Sequence, residues 1–226
     1  MRTGGRLSLG KSFMQMQEAI ARVLGGVDKF RRDVFPAQRQ MFESLRVRQD
    51  PLAMFVTCAD ARVVPNLFTQ TDPGDIFIER NPGNMVPPYV EFVGGVTAGV
   101  EYAMLVLKVP LVVICGHTDC GVMKALLQPK SVEGMHGLQH WMGHGMAARS
   151  RMLRLFADVP EEEQLRRLTE LNVLAQIEHL KTHPSVRHRL QRKEIEIRGW
   201  VYDIGDGSVY EADPASGRFH ALGIKS

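Results

Sequence analysis

The fold of this chain is decided by the stretch Leu111-Val112-Val113-Ile114-Cys115-Gly116-His117-Thr118-Asp119-Cys120-Gly121. Its apolar first half, Leu111–Cys115, is short and follows Pro110, which is typical of a buried strand. The polar second half leads into a helix predicted at Val122–Leu127. A buried strand that passes through a polar turn into a helix is the first half of a βαβ unit.

The same alternation of elements extends in both directions from this stretch. Further strands are predicted at Leu52–Thr57, Ile76–Glu79, Glu194–Tyr202 and Ser208–Ala212, the last two joined by the turn Asp206-Gly207. Further helices are predicted at Phe13–Leu24, Phe30–Arg48, Val63–Gln70, Val93–Lys108, Leu138–Phe156 and Glu161–Thr182, the second of them interrupted at Pro36. This order predicts an α/β fold, in which a mostly parallel central sheet of four strands carries an antiparallel fifth strand at its edge and is flanked by helices.

The N-terminal helices have no strand partner of their own. Gly25-Gly26 is expected to break the first of them, and no clear linker divides the chain. We therefore predict that residues 1–34 are an N-terminal extension and helical arm that packs on another subunit. Residues 35–226 are predicted to form the α/β domain.

Composition excludes several classes of protein. The 226 residues are 44% hydrophobic and 23% charged with a net charge of +3, so the chain is globular rather than disordered. Lysine and arginine are scattered, which gives no footprint for nucleic acid. No apolar run reaches the roughly 18 residues that a membrane span needs. The first residues lack the apolar segment of a secretory signal, so the expected location is the cytoplasm.

Candidate metal ligands follow two of the predicted strands. Cys58 ends the first, and His117 and Cys120 lie just after Cys115. The carboxyl ends of parallel strands meet at one edge of a sheet, so these side chains are expected to converge. Two thiolates and an imidazole suit Zn²⁺, and three protein ligands leave the open position of a catalytic site. A structural zinc site or unrelated buried thiols are the alternatives, and Cys115 is expected to be a core residue.

A carboxylate and a guanidinium accompany the first ligand. Zinc lowers the pKa of a bound water to about 7, but two thiolates weaken that effect by cancelling the charge of the metal. Asp60 is placed to orient such a water, and Arg62 could keep Asp60 ionised through a bidentate pair. An ordinary structural salt bridge is the alternative.

These motifs resemble those of the β-class carbonic anhydrases. The further matching segments are Pro73-Gly74-Asp75 with Phe77, Arg80-Asn81-Pro82-Gly83-Asn84, Gly94-Gly95-Val96 through Glu101-Tyr102-Ala103, and Gly199-Trp200-Val201-Tyr202-Asp203. The resemblance covers residues 35–215 and is strongest to bacterial members associated with cyanate metabolism.

The resemblance implies a zinc lyase of carbon utilisation that reversibly hydrates carbon dioxide to bicarbonate and a proton. In the family, zinc-bound hydroxide attacks the carbon of CO₂. Cys58, His117 and Cys120 match the zinc ligands, and Asp60 and Arg62 match the catalytic pair.

The resemblance also implies residues that contact the substrate. Gln49 matches a glutamine whose amide bonds the substrate oxygen, and Phe77 and Tyr102 match the walls of a narrow apolar pocket. Some of these walls come from the neighbouring subunit in the family. A homodimer or homotetramer with sites at the subunit interface is therefore expected.

Some family members close the site at low pH by letting the aspartate bind zinc, and they share a secondary bicarbonate pocket. The matching positions here are Phe55, Arg80 and Tyr202. Phe55 has no N–H to donate where the family has tryptophan, so the pocket is incomplete. We expect the open form, with water as the fourth ligand, near neutral pH.

The sequence is also compatible with other functions. His136, His140 and His144 recur every four residues and could form a second metal site or a proton relay, although a partly exposed helix face without a ligand is the simpler interpretation. A non-catalytic module that binds zinc and bicarbonate would use the same fold. So would a hydrolase of CS₂ or COS, because these molecules are linear like CO₂.

Overall fold

The computed structural model describes residues 5–89 and 94–223, with side chains described from residue 12. It divides into two compact units, Met1–Gln49 and Asp50–Ser226. The predicted division of the chain at residue 34 stays a prediction.

The described part of the first unit is helical. Its elements are α1 (Gly5–Lys29), a π-helical segment (Phe30–Val34), α2 (Phe35–Ala37) and α3 (Arg39–Leu45). Helix α1 continues through Gly25-Gly26, so the predicted break is wrong. A glycine weakens a helix by about 1 kcal/mol relative to alanine but removes no backbone hydrogen bond, so a helix can run through it. Pro36 lies in the first turn of α2, where no N–H is needed, so the predicted interruption falls at Gln38 instead.

The described side chains of the first unit, from residue 12 onwards, form no buried core. None of its described side chains is buried. The large apolar residues that are at least 36% exposed are Phe13, Met14, Met16, Ile20, Val23, Leu24, Val27, Phe30, Val34 and Val47. An exposed apolar surface of this kind is typical of a segment that packs on another surface.

The described residues of the second unit form a six-stranded sheet. Its strands are β1 (Ala53–Cys58), β2 (Ile76–Asn81), β3 (Leu111–His117), β4 (Glu196–Tyr202), β5 (Val209–Ala212) and β6 (Phe219–Ala221), in the order β2-β1-β3-β4-β5-β6. Strands β1 to β4 pair in parallel, and β5 and β6 are antiparallel. The predicted α/β fold is confirmed, with β6 added at the edge. Only Phe219 of β6 is partly buried, so this strand has no alternating pattern to detect.

Helices flank this sheet. They are α4 (Pro65–Thr69), α5 (Gly95–Glu101), α6 (Gly121–Leu127), α7 (His136–Trp141), α8 (Met146–Phe156), α9 (Glu161–Lys181) and α10 (Pro184–Gln191). A π-helical segment (Tyr102–Leu107) continues α5, and 3₁₀ turns occupy Pro129–Val132 and Met142–Gly145. The predicted helix Leu138–Phe156 is therefore interrupted, and the predicted start at Val93 lies outside the described residues. Among the described residues, no helix is long and apolar enough to cross a membrane.

Helix α9 packs closely on β3 and β4. Gly116 of β3 makes this approach possible, because a Cβ there would lie 3.0 Å from Val173 Cγ2 and 3.1 Å from Thr169 Cγ2. Both of those residues belong to α9 and are buried. The close contact fixes the end of β3, which carries His117.

We expect Gly116→Ala to lower the free energy of unfolding by about 1–3 kcal/mol, because the added methyl group overpacks the contact with α9. Chemical denaturation measures this change. Gly137→Ala in α7 is the matched control, since its Cβ would meet no atom within 4 Å. The control should be neutral or slightly stabilising. A Gly116→Ala protein as stable as the wild type would contradict the packing argument.

Candidate metal centre

The parallel pairing of β1 and β3 brings two distant parts of the chain together. Thr57 pairs with Cys115, so both strands end at the same edge of the sheet. Cys58 and His117 are the last residues of these strands. Cys120 follows three residues after His117 and immediately precedes α6.

These three residues form a buried cluster. Cys58 Sγ, a ring nitrogen of His117 and Cys120 Sγ all lie within 4.8 Å of one another, and it is the one group of this kind among the described residues. The two sulfur atoms are 4.0 Å apart, although 62 residues separate them in sequence. That distance is far too long for a disulfide. Two sulfurs bound tetrahedrally to one zinc ion at about 2.3 Å would lie about 3.8 Å apart.

His117 is oriented as a metal ligand. Its Nδ1 lies 2.8 Å from the carbonyl oxygen of Thr118, which can only accept, so Nδ1 carries a proton and donates. The other nitrogen, Nε2, is buried and has no hydrogen-bond partner. An unpartnered polar atom in a dry interior is unfavourable. A metal ion on Nε2 would remove that penalty, so the residues present fit Zn²⁺.

The two thiols interact strongly. Cys58 accepts hydrogen bonds from the Cys120 thiol and the Gly83 N–H, and these lower the pKa of Cys58 to about 4. The neighbouring Cys58 thiolate and burial raise the pKa of Cys120 well above its usual value. Two thiolates here therefore need a cation. Cys115 is also buried, which raises its pKa to about 12, and it is not part of the cluster. The prediction that Cys115 is a core residue is confirmed.

Asp60 and Arg62 form the bidentate pair that the sequence predicted. Arg62 Nε donates to Asp60 Oδ1 at 2.9 Å, and Nη2 donates to Oδ2 at 2.8 Å. The backbone N–H of Arg62 adds a third bond to Oδ1 at 2.9 Å. These bonds from Arg62 hold the pKa of Asp60 well below its usual range. Asp60 Oδ2 lies 3.9 Å from Nε2 of His117, so the pair borders the candidate ligands.

Comparison with known proteins agrees with this geometry. The sequence model of the family described as carbonic anhydrase matches residues 53–209. A carbonic anhydrase of Pseudomonas aeruginosa is 43% identical over 200 residues, which cover 88% of this chain and 90% of that protein. The solved β-carbonic anhydrase CcaA superposes with a TM-score of 0.88 at 35% identity, covering 92% of this chain and 94% of the other.

This chain belongs to the β-class carbonic anhydrases. A solved structure of one of two tetrameric β-carbonic anhydrases from Sordaria macrospora is also similar, with a TM-score of 0.68 and 28% identity. It covers 94% of this β-class chain and 98% of the Sordaria chain.

Phe77, one of the two predicted pocket walls, lies away from the candidate ligands of its own chain. The rings of Phe77 and Tyr102 are 5.9 Å apart. Phe77 precedes Asn81, the residue that pairs with Cys58, by four positions on β2. Four residues of strand span about 13 Å. Gln49 belongs to the first unit, so its role stays a prediction.

The three regularly spaced histidines do not share one continuous helix. His136 and His140 lie in α7, whereas His144 lies in the following 3₁₀ turn. His136 and His140 are exposed, and none of the three belongs to the one ligand cluster found among the described residues. His136 and His140 thus lie on an exposed helix and His144 on the turn after it, and whether they bind a metal or relay protons stays a prediction.

The residues at the positions that match a secondary bicarbonate pocket all contact other residues of this chain. Arg80 Nη2 lies within hydrogen-bond distance of the carbonyl oxygens of Cys58, Asp60 and Val63, at 3.2, 2.9 and 2.7 Å. Arg80 therefore supports the loop that carries Cys58 and Asp60. Phe55 packs edge-on against Trp200, and Tyr202 stacks on Phe68.

Two contacts at the site were not predicted from the sequence. Asp119 accepts a hydrogen bond from Arg62 Nη1 at 3.0 Å and forms an ion pair with Lys124. These two partners, Lys124 first, lower the pKa of Asp119. Asp119 was visible within the second motif, but no local pattern indicates that it meets a side chain 57 residues away.

We expect His117→Ala and Cys120→Ser to abolish stoichiometric zinc binding, because each removes one of three ligands. Zinc content after dialysis and competition with a chromophoric chelator measure the loss. Cys115→Ala is the matched control, since this buried cysteine lies outside the cluster and should keep about one zinc ion per chain. Full zinc retention by His117→Ala would show that the metal is bound elsewhere.

Proposed function

We propose that this β-class carbonic anhydrase is a zinc lyase that reversibly hydrates carbon dioxide to bicarbonate and a proton. The proposal rests on one observation: the buried cluster of Cys58, His117 and Cys120 directly borders the Asp60–Arg62 pair. These three side chains would hold Zn²⁺. When bound, Zn²⁺ lowers the pKa of water at its open position to about 7 and so makes hydroxide available at neutral pH.

Asp60 orients the attacking water. Because Arg62 keeps the Asp60 pKa low, the carboxylate stays ionised through the neutral range and can only accept hydrogen bonds. A water that donates a hydrogen bond to Asp60 would therefore direct an oxygen lone pair away from it, towards the substrate carbon. Since Asp60 does not titrate near neutrality, the pH dependence of the rate there arises from another group.

Arg62 sets the position of Asp60. Its two parallel hydrogen bonds fix both oxygens of the carboxylate in one plane, which a single charge contact would not do. The amide of Gln49 is proposed to bond the substrate oxygen, as the resemblance implies.

Phe77 and Tyr102 are proposed to wall the site of a neighbouring subunit. Phe77 lies about 13 Å along β2 from Asn81, the residue that pairs with Cys58. The ring of Tyr102 lies 5.9 Å from that of Phe77. Tyr102 is 41% exposed, and Leu105 and Val106 on the same segment are 59% and 60% exposed. This apolar surface and the exposed face of α1 support a homodimer or homotetramer, and the similar Sordaria enzymes are tetrameric.

The alternatives are less well supported. A non-catalytic module that binds zinc and bicarbonate would not need the Asp60–Arg62 pair, which is intact here. No observed contact favours CS₂ or COS as the substrate. A cytoplasmic location and a place among the cyanate-associated members are proposed on the sequence motifs alone.

We expect the zinc-loaded wild type to hydrate CO₂ and Asp60→Asn to lower kcat/KM by about 100-fold or more, because the amide cannot act as an acceptor on both atoms. Stopped-flow hydration with a pH indicator measures the rates, and zinc content is assayed on both proteins. Asp158→Asn at an exposed loop position is the control and should match the wild type. A zinc-loaded wild type without hydration activity, even at mildly alkaline pH, would favour the non-catalytic module or another substrate.

The shared pocket can be tested with mixed oligomers. One subunit carries Cys120→Ser and the other Tyr102→Ala, with different affinity tags so that the hetero-oligomer can be purified. If each subunit donates its wall to the partner, the Tyr102→Ala subunit keeps its own metal and receives the intact Tyr102 of the Cys120→Ser subunit. About half of the sites are then complete. A hetero-oligomer no more active than Tyr102→Ala alone would place the walls in the same subunit.

A further inference from the structure

The hydrogen bonds between Asp60 and Arg62 do not fix the position of this pair relative to His117 and Cys120. Asp60 and Arg62 lie on one short loop after β1, so the bonds between them fix only the shape of that loop. His117 is the last residue of β3, and Cys120 lies on the loop that follows it. The Arg62 side chain is also 46% exposed, so packing alone does not hold it.

Asp119 supplies the connection between the two loops. Arg62 Nη1 donates to Asp119 Oδ2 at 3.0 Å, and Arg62 Nη2 lies 3.3 Å from the Asp119 carbonyl oxygen. One edge of the guanidinium therefore faces Asp60 and another faces Asp119. Because Asp119 lies between His117 and Cys120 in sequence, these bonds connect Arg62 directly to the loop that carries Cys120.

The backbone of Asp119 is unusual. Its φ is +61°, in the left-handed region that few residues other than glycine adopt. Aspartate and asparagine tolerate this region better than most residues. Such a conformation persists where surrounding contacts determine it, and here both the carbonyl and the carboxylate of Asp119 accept from Arg62.

Lys124 anchors Asp119 from the other side. It forms an ion pair with Asp119 Oδ1, whereas Arg62 binds Oδ2. Lys124 lies in α6, which begins directly after the ligand Cys120. The carboxylate of Asp119 thus links Arg62 to the first turns of a helix that is packed in the core.

We propose that Asp119 is a positioning residue for CO₂ hydration: it holds Arg62, and through Arg62 the carboxylate of Asp60, in register with the ligand loop after β3, with Lys124 as its anchor. This inference rests on the proposed function. Asp119 itself contributes no ligand to the cluster of Cys58, His117 and Cys120.

An ordinary surface ion pair is the competing interpretation, and it predicts a different outcome. The side chains of Arg62, Asp119 and Lys124 are 46%, 51% and 53% exposed. Ion pairs this exposed contribute little to stability. If the contact were only a surface ion pair, loss of Asp119 would change neither the hydration rate nor the order of the Arg62 loop. If Asp119 positions Arg62, its loss should change both, while the melting temperature stays nearly the same.

The test compares Asp119→Asn with a control that removes an equally exposed ion pair. Asparagine keeps the left-handed preference and the carbonyl but loses the charge. Lys181→Met removes the pair with Glu178, whose side chains are 45% and 70% exposed, on α9. In Asp119→Asn we expect kcat for hydration to fall about tenfold with KM and zinc content unchanged. The control should match the wild type.

A double-mutant cycle tests whether Asp119 acts through Arg62. In the Arg62→Gln background, Asp119→Asn should lower kcat by less than about twofold further, because the contact is already lost. Lys124→Met should lower kcat in the same direction and serves as the test variant should Asp119→Asn fail to fold. A full tenfold loss in both backgrounds, or no loss in either variant, overturns the proposal.

Hydrogen exchange gives a readout that does not depend on activity. The backbone N–H of Arg62 donates to Asp60 Oδ1. Residue-resolved exchange of this amide should accelerate about tenfold in Asp119→Asn and stay unchanged in Lys181→Met. Unchanged exchange in both overturns the positioning role. If the wild type lacks hydration activity, the proposed function fails, whereas this exchange measurement still decides whether Asp119 orders Arg62.

Discussion

The parallel pairing of β1 with β3 is the constraint on which this site depends. It ends both strands at one edge of the sheet, with Cys58 on one and His117 on the other. Helix α9 can lie close against the end of β3 because Gly116 has no side chain. A shift of either strand by one residue would turn its terminal ligand to the other face of the sheet. The metal centre is thus a consequence of strand register.

Charge balance explains the chemistry around that edge. Two buried thiols and an imidazole with an unpartnered nitrogen are unfavourable on their own and complementary to a divalent cation. The negative charge of Asp60 is balanced within the protein, because Arg62 binds the carboxylate through two parallel hydrogen bonds. The site therefore places a cluster that is complementary to a cation beside the ionised carboxylate of Asp60, which accepts hydrogen bonds.

The sequence predicts those parts of the structure that local patterns encode. Apolar runs that end in polar motifs predicted the parallel sheet and the convergence of Cys58 with His117. Side-chain contacts between distant loops, such as Asp119 with Arg62, leave no periodic signal, because they depend on the exact meeting of two strand ends. Helix α1 passes through Gly25-Gly26 because glycine weakens a helix without removing a backbone hydrogen bond. The three-residue strand β6 is too short for an alternating pattern.

We propose that Cys58, His117 and Cys120 hold Zn²⁺ while the carboxylate of Asp60 stays paired with Arg62. A crystal structure of the zinc-loaded protein near neutral pH, with the metal located by its anomalous scattering, tests this most directly. We predict zinc on Cys58, His117 and Cys120, solvent in the fourth position and an intact Asp60–Arg62 pair. A carboxylate oxygen of Asp60 in the fourth position, with Arg62 released, would contradict the account.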